Sequence, residues 1–284
     1  MKLTPRYEGP PVLTIDGSAD DQLVPVTRQR RRMETILAPL SDDAWQTPSR
    51  CDGWAIRDVI AHLVTVNGFW EMSVRAGLAG EPTRVLATFD PAAHPPLMVE
   101  GMRALTPQEL FGQFVASNDG FLDALASLDD AGWATIAESP AGHVSIRLLA
   151  FHAIWDSWIH ERDIALPLGF APTDEPDEVR SCLRYAAAVS PALTVSNGSA
   201  VSGELAVAAT EPDDQFTLAV GDSVAVRNEP TPPEAPCLHG VSVDLVEALS
   251  VRAPLPADAP AEWRRLLNGL ATVFDTELEA GDRA

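Results

Sequence analysis

The sequence predicts a mainly helical α+β protein, with an N-terminal four-helix bundle followed by a smaller α+β module. Three observations carry that reading. Four long segments between residues 21 and 166 repeat apolar side chains at helical spacing. After Gly169 the pattern changes to short β-rich runs separated by turn residues. The connections within the first part are too long for a simple up-and-down bundle, so crossover connections are expected. The expected boundaries are an extended lead-in over 1–20, the bundle over 21–170 and the α+β part over 171–284.

The lead-in is rich in Pro, Gly and Asp. A first helix is expected from Asp21 to Pro39, with Leu23, Val26, Met33, Ile36 and Leu37 along its apolar stripe. Its four arginines, Arg28, Arg30, Arg31 and Arg32, read as a solvated face that pairs locally and not as a basic patch. The turn Ser49–Trp54 leads into a second helix from Ala55 to Ala76, burying Val59, Ile60, Leu63, Val66 and Trp70. A proline-rich stretch from Glu81 to Pro96 then crosses the surface. The third helix has Thr106 as N-cap, Pro107 at its first position and Glu109 three residues after the cap, and runs to about Leu128. The fourth runs from Ser145 to Leu166, where Pro167 stops it. Thr173–Pro191 reads helical, and Ser202–Ala209, Gln215–Val220 and Ser223–Arg227 read as strands. A stiff loop at Pro230–Pro236, a strand at Cys237–Val241 and helices at Asp244–Arg252 and Pro260–Leu278 complete the chain.

Among its 284 residues acids outnumber bases, for a formal net charge of −21. That balance excludes the basic footprint that nucleic acid requires, and it disfavours an anionic membrane surface. The N-terminus has no apolar run typical of a secretory signal, and no stretch is long and apolar enough for a membrane span. The three cysteines, Cys51, Cys182 and Cys237, lie far apart without a CxxC, so they read as buried, inert thiols. A reducing cytoplasm is the expected compartment.

The chemistry concentrates in the fourth helix. His152, Asp156 and His160 are spaced i, i+4, i+8, which places them roughly 40° apart on one stripe. Leu148, Leu149, Trp155 and Ile159 share that side, so these polar groups face the core. His62 occupies a similar inward position on the second helix, between Val59, Leu63 and Val66. A buried carboxylate and buried imidazoles each need partners. One divalent cation satisfies all of them, and facing helices of a bundle are a common place to hold it. Hydrogen-bonded core histidines and a His–Asp ion pair are the alternative reading.

The run Trp45…Pro48-Ser-Arg-Cys51-Asp-Gly53-Trp54…Arg57-Asp58-Val59…His62-Leu63 resembles the N-terminal signature of the mycothiol-dependent maleylpyruvate isomerase family, a group of DinB-like metal-binding helical bundles. Asp156-Ser-Trp-Ile-His160-Glu-Arg-Asp163-Ile164 resembles that family's second metal segment. The resemblance covers most of residues 21–170 and, more loosely, the α+β part that follows. It implies that His62, Asp156 and His160 are metal ligands, with zinc the usual ion. The family's founding isomerases carry Glu, one methylene longer, where this chain has Asp156. By the same resemblance Arg252 matches a substrate-anchoring arginine, with an ordinary surface arginine as the alternative. His152 is read as a hydrogen-bond partner behind the ligands, a fourth ligand or core. Asp163 either orients a ligating imidazole or pairs with Arg162 or Arg147 at the helix end. His94, His143 and His239 read as structural or solvated, and Trp45 and Trp54 as packing.

The activity implied is a metal-dependent thiol enzyme, in which mycothiol supplies a thiolate that adds to a small electrophile. Expulsion of the thiol after rotation gives isomerisation, and a lasting adduct gives S-transfer. No cysteine of the chain is needed as nucleophile. A metal-dependent hydrolase and a non-enzymatic binding or regulatory protein on the same bundle remain as competing readings.

Overall fold

The computed structural model describes residues 3–17, 20–229 and 234–273. In chain order these form β1 (Leu13–Ile15), α1 (Asp20–Leu37), α2 (Ile56–Leu78), α3 (His94–Glu100), α4 (Pro107–Ala126), α5 (Asp130–Ala134), β2 (Ile136–Ser139) and β3 (Gly142–Ser145). They continue through α6 (Ile146–Ala165), α7 (Pro176–Ser196), β4 (Gly203–Thr210), β5 (Asp214–Val220), β6 (Val224–Arg227), β7 (Cys237–Val241), α8 (Ser242–Leu249), α9 (Ala261–Leu267) and α10 (Gly269–Val273). The fold is mainly α with one mixed sheet, as expected from the sequence. The expected helix beyond Val273 and part of the Pro230–Pro236 loop lie outside the described residues.

Helices α1, α2, α4 and α6 form the bundle. Both α1 and α2 pack on α4 and on α6, so the chain crosses the bundle between consecutive elements. Local chemistry explains the ends. Thr106 Oγ1 accepts from Glu109 N at 3.3 Å, and the Glu109 carboxylate accepts from Thr106 N at 2.8 Å, closing a capping box on α4. Ser145 Oγ accepts from Leu148 N at 3.2 Å to start α6. Helix α6 is buried almost all round, because α1, α2 and α7 cover it from three sides.

The arginines of α1 do not form a solvated, locally paired face. Only Arg31 pairs within the helix, with Glu34. Arg32 reaches Glu161 on α6 and Glu178 on α7, each at 2.6 Å, and Arg28 also grips Glu178. Arg30 is wholly buried, donating to Asn67 and stacking on Phe121. These guanidiniums tie α1 to α2, α4, α6 and α7.

The sheet runs β1-β6-β5-β4-β7, with β1 parallel to β6, β7 parallel to β4, and antiparallel pairs between β4, β5 and β6. Part of the expected lead-in is therefore a sheet strand, with Leu13 opposite Val224 and Ile15 opposite Val226. Helix α7 packs on this sheet and on α6, so one apolar core runs from bundle to sheet. α7 also continues past Pro191 to Ser196; the hydrogen bond lost at proline is outweighed by burial of Ala192, Leu193 and Val195. No described helix is long and apolar enough to cross a membrane.

Between α2 and α6 the sequence reading missed two features that shape the site. The segment after α2 is not a plain surface crossing, since it folds into a short turn at Val85–Thr88 and α3. The hairpin β2–β3 lies against α2, and Gly77 permits the approach because a Cβ there would collide with the carbonyl of Ile136. The hairpin holds the segment in place through Glu138. Its fully buried carboxylate accepts from Tyr7 Oη and Thr83 Oγ1 at 2.6 Å, and from Val85 N and Leu86 N at 2.8 Å.

Candidate metal centre

Helices α2 and α6 bring His62, Asp156 and His160 together. His62 Nε2 stands 4.0 Å from Asp156 Oδ1, and His160 Nε2 stands 3.8 Å from the same oxygen. One donor atom from each residue lies within 4.8 Å of the others. These gaps are too long for direct hydrogen bonds. Two donors on one tetrahedral zinc ion stand roughly 3.4 Å apart, so Asp156 would move in by about 0.5 Å and the two imidazoles would draw together by at most about 1.4 Å to close the triad on an ion. The donor set of two imidazoles and a carboxylate suits zinc and leaves a coordination position open.

The two nitrogens of His160 face different ways. Nδ1 lies 3.0 Å from Asp163 Oδ2, which leaves Nε2 facing Asp156 and His62. Asp163 is wholly buried and is gripped by Arg252, whose Nε and Nη2 donate at 2.9 and 2.7 Å. Val251 takes a φ of 60°, an uncommon conformation for a β-branched residue, immediately before this arginine. The expected ion pairs of Asp163 with Arg162 or Arg147 do not form. Arg162 turns to Asp174 and Glu247, and Arg147 donates to the carbonyls of Ile15 and Gly17.

The electrostatics favour positive charge between these groups. Burial alone would lower the pKa of His160, but Asp163, Cys51 and Asp156 outweigh it and raise it to about 10. Burial would raise the Asp156 and Asp163 carboxyls. Facing imidazoles for the first, and His160 with Arg252 for the second, hold both well below the usual carboxylate range. A setting that prefers an imidazolium at His160 also prefers a cation bound at its Nε2.

His152 stands apart from the triad. Its Nδ1 is hydrogen-bonded to the Tyr185 hydroxyl, and its ring is enclosed by Trp70, Trp155 and Tyr185. Burial lowers its pKa to about 4, so it is neutral at pH 7. Of the other histidines, His94 accepts from Asp90 N, His143 lies 2.9 Å from the carbonyl of Thr83, and exposed His239 pairs with Asp258.

Two residues read as inert packing lie at the site. Cys51 is half-buried, its Sγ 3.2 Å from Asp163 Oδ2 and 3.7 Å from His160 Nδ1, whereas Cys182 is fully buried. Trp54 rests against the His62 ring with centroids 5.6 Å apart, while Trp45 is buried in the bundle. The turn carrying Cys51 and Trp54 is drawn to α6 by the hydrogen bond from Arg50 N to Asp163 O, a long-range contact with no local sequence signal.

The triad lies where two chambers meet. One, of about 460 Å³, is polar and lined by Arg50, Cys51, Trp54, His160, Ser250 and Arg252. The other, of about 210 Å³, is apolar and lies between α2, the segment 85–98, α7 and α10. His62, Trp155 and Asp156 border both.

The sequence pattern of the mycothiol maleylpyruvate isomerase N-terminal domain family matches residues 26–165, the stretch that contains all three triad residues. This part of the chain is similar to the members of that family. Two solved structures are similar over a longer stretch: a mycothiol-dependent maleylpyruvate isomerase and a histidine-to-alanine mutant of it. Each aligns with a TM-score of 0.60 at 16% identity, covering 84% of this chain and 91% of the other. At that identity the similarity is one of fold, and its extent carries it past the family segment into the α+β part. No curated protein sequence matches the chain well enough to count as a relative.

Proposed function

We propose that this protein is a divalent-metal-dependent thiol enzyme of the mycothiol-dependent isomerase or S-transferase type, with zinc as the metal. The observation that carries the reading is the convergence of His62, Asp156 and His160 at the junction of a polar and an apolar chamber. The match of residues 26–165 to the mycothiol maleylpyruvate isomerase N-terminal domain family supports it.

A zinc ion held by these three residues would supply the positive charge that keeps a thiol deprotonated at neutral pH. The chain's own residues do the positioning. Asp163 accepts from His160 Nδ1 and fixes the imidazole with Nε2 toward the triad, and Arg252 holds Asp163. The polar chamber takes the thiol, and the apolar one takes the electrophile and excludes water. Addition of thiolate sulfur to a conjugated carbon forms a C–S bond as the C=C π pair moves to the carbonyl oxygen. Rotation about the new single bond, followed by return of the pair, expels the thiolate and completes a cis–trans isomerisation. Arg252, paired with Asp163 through Nε and Nη2, acts here as a positioning residue.

The test is turnover of a cis-enone by the zinc-loaded protein with and without added thiol. Turnover that requires the thiol and is lost in Asp156→Ala is expected. Thiol-free cleavage of an ester or amide probe by the zinc-loaded protein would favour a hydrolase, and no turnover of either probe would favour a binding protein.

A further inference from the structure

Addition of a thiolate to a conjugated carbon gathers negative charge on the carbonyl oxygen. Inside an apolar chamber a fixed hydrogen-bond donor stabilises such an oxygen strongly, because no water competes for it. Most polar groups in the described walls of this chamber are already committed. Thr65 Oγ1 donates to Ala61 O, Trp155 Nε1 to Ser250 Oγ, and the Val85 and Leu86 amides to Glu138. Trp70 Nε1 is sealed from the chamber by its own burial, and His62 belongs to the triad. His152 remains.

His152 is 7% exposed and lines the chamber, its ring held between Trp70, Trp155 and Tyr185. Its Nδ1 meets the Tyr185 hydroxyl. Its Nε2 has no partner among the described residues and, unlike Trp70 Nε1, is not sealed off. Tyr185 decides which nitrogen carries the proton. That hydroxyl is 1% exposed, burial keeps it protonated, and Nδ1 is its one hydrogen-bond partner among the described residues. A proton on Nδ1 would leave the hydroxyl hydrogen buried without an acceptor, which is costly. The hydroxyl therefore donates to Nδ1, and the neutral ring carries its proton on Nε2, toward the chamber.

We propose that His152 is a catalytic residue, whose Nε2–H donates to the carbonyl oxygen of the electrophile and stabilises the enolate formed as the thiolate adds. The C–S bond forms while the C=C π pair moves to that oxygen, and the Nε2 proton is shared with it and not transferred. Return of the pair restores the carbonyl, breaks the C–S bond and leaves His152 unchanged. The proposal rests on the thiol-enzyme reading, whereas the place of the proton and the donor it offers to a carbonyl oxygen stand without it.

The experiment joins NMR of the full, zinc-loaded chain, its histidine nitrogens labelled with nitrogen-15, to steady-state kinetics. The His152 signals are assigned by their loss in His152→Gln, whose amide can accept from Tyr185 and still donate into the chamber. A neutral Nε2–H tautomer is expected at pH 7. Saturating 4-phenylbutan-2-one, a ketone unreactive toward thiols, is expected to move the Nε2–H proton downfield. Butylbenzene, of similar shape without the oxygen, is expected to leave it in place. In thiol-dependent turnover of a cis-enone, His152→Met should lower kcat on the order of 100-fold and change KM less than about threefold, because the bond strengthens as charge develops. His152→Gln should recover most of the loss. A proton on Nδ1, or a ketone that leaves the Nε2–H signal unmoved, would overturn the proposal on the wild type alone. So would an undiminished kcat in a His152→Met variant that circular dichroism shows folded, while sparing the enzymatic reading. No thiol-dependent turnover by the wild type would remove the catalytic role together with that reading, and a downfield shift with the ketone would then still show the donor.

Discussion

His160 serves two partners with its two ring nitrogens, and the arrangement depends on a charge that no water reaches. Asp163 carries that charge, and its contacts with His160 and Arg252, joined by Cys51 and Arg50, make its burial tolerable. Asp163→Asn keeps the volume but removes the charge, so zinc affinity should fall roughly 10- to 100-fold in a chelator competition. Unchanged affinity would show that Asp163 does not act on the ligand. His152 yields a prediction of different sign. Its folded pKa of about 4 lies below the ordinary value near 6.5. Between these two values the unfolded chain takes up a proton that the folded chain refuses. The associated stability, on the order of 3 kcal/mol, is complete above pH 6.5 and lost as pH falls toward 4. Urea unfolding of wild type and His152→Gln from pH 7 to 4.5 checks this, because the variant should lose less stability; parallel curves would contradict it. At this scale the sequence was informative about Asp156 and His160, which share an apolar stripe of α6 with His152, and about His62, an inward-facing imidazole on α2. Cys51 and Trp54 were not legible. They reach the site through Arg50 N and the Asp163 carbonyl, a contact between residues far apart in the chain.

Elements with strong local signals were read closely. The capping box of α4 falls at the expected residues and α6 starts at the expected Ser145, because both ends are fixed by local hydrogen bonds. Elements stabilised by distant partners were missed. The strand β1 exists because β6 offers it a parallel edge, and the hairpin β2–β3 because α2 has a glycine facing it. The segment from 81 to 100 looks like a plain loop in sequence, yet three of its own donors, Thr83 Oγ1, Val85 N and Leu86 N, bind it to Glu138 of the hairpin. Glu138→Ala should therefore cost about 3 kcal/mol in unfolding free energy and make this segment cleavable in limited proteolysis. Resistance equal to the wild type would contradict that role. Arg32 binds elements together in the same way. Removing it as Arg32→Ala leaves the buried Glu161 and Glu178 short of their shared cation, and should cost roughly 3–5 kcal/mol in denaturant unfolding. A loss below about 1 kcal/mol would place the pair among ordinary surface bridges.

Across the whole molecule the bundle and the sheet share one apolar core, and α7 is the element common to both. Leu193 of α7 and Leu270 of α10 reach the walls of the apolar chamber, so the α+β part completes a site whose candidate ligands all belong to the bundle. Sequence periodicity announced the two regions but could not reveal how they share a core, because that depends on which faces meet. The account stands on the claim that His62, Asp156 and His160 grip one divalent cation. Elemental analysis of the purified, zinc-incubated and desalted chain beside Asp156→Ala tests it most directly. About one zinc ion per wild-type chain is predicted, and close to none in a variant whose circular dichroism shows it folded. A folded wild-type chain that retains no metal, or a variant that retains as much, would contradict the account.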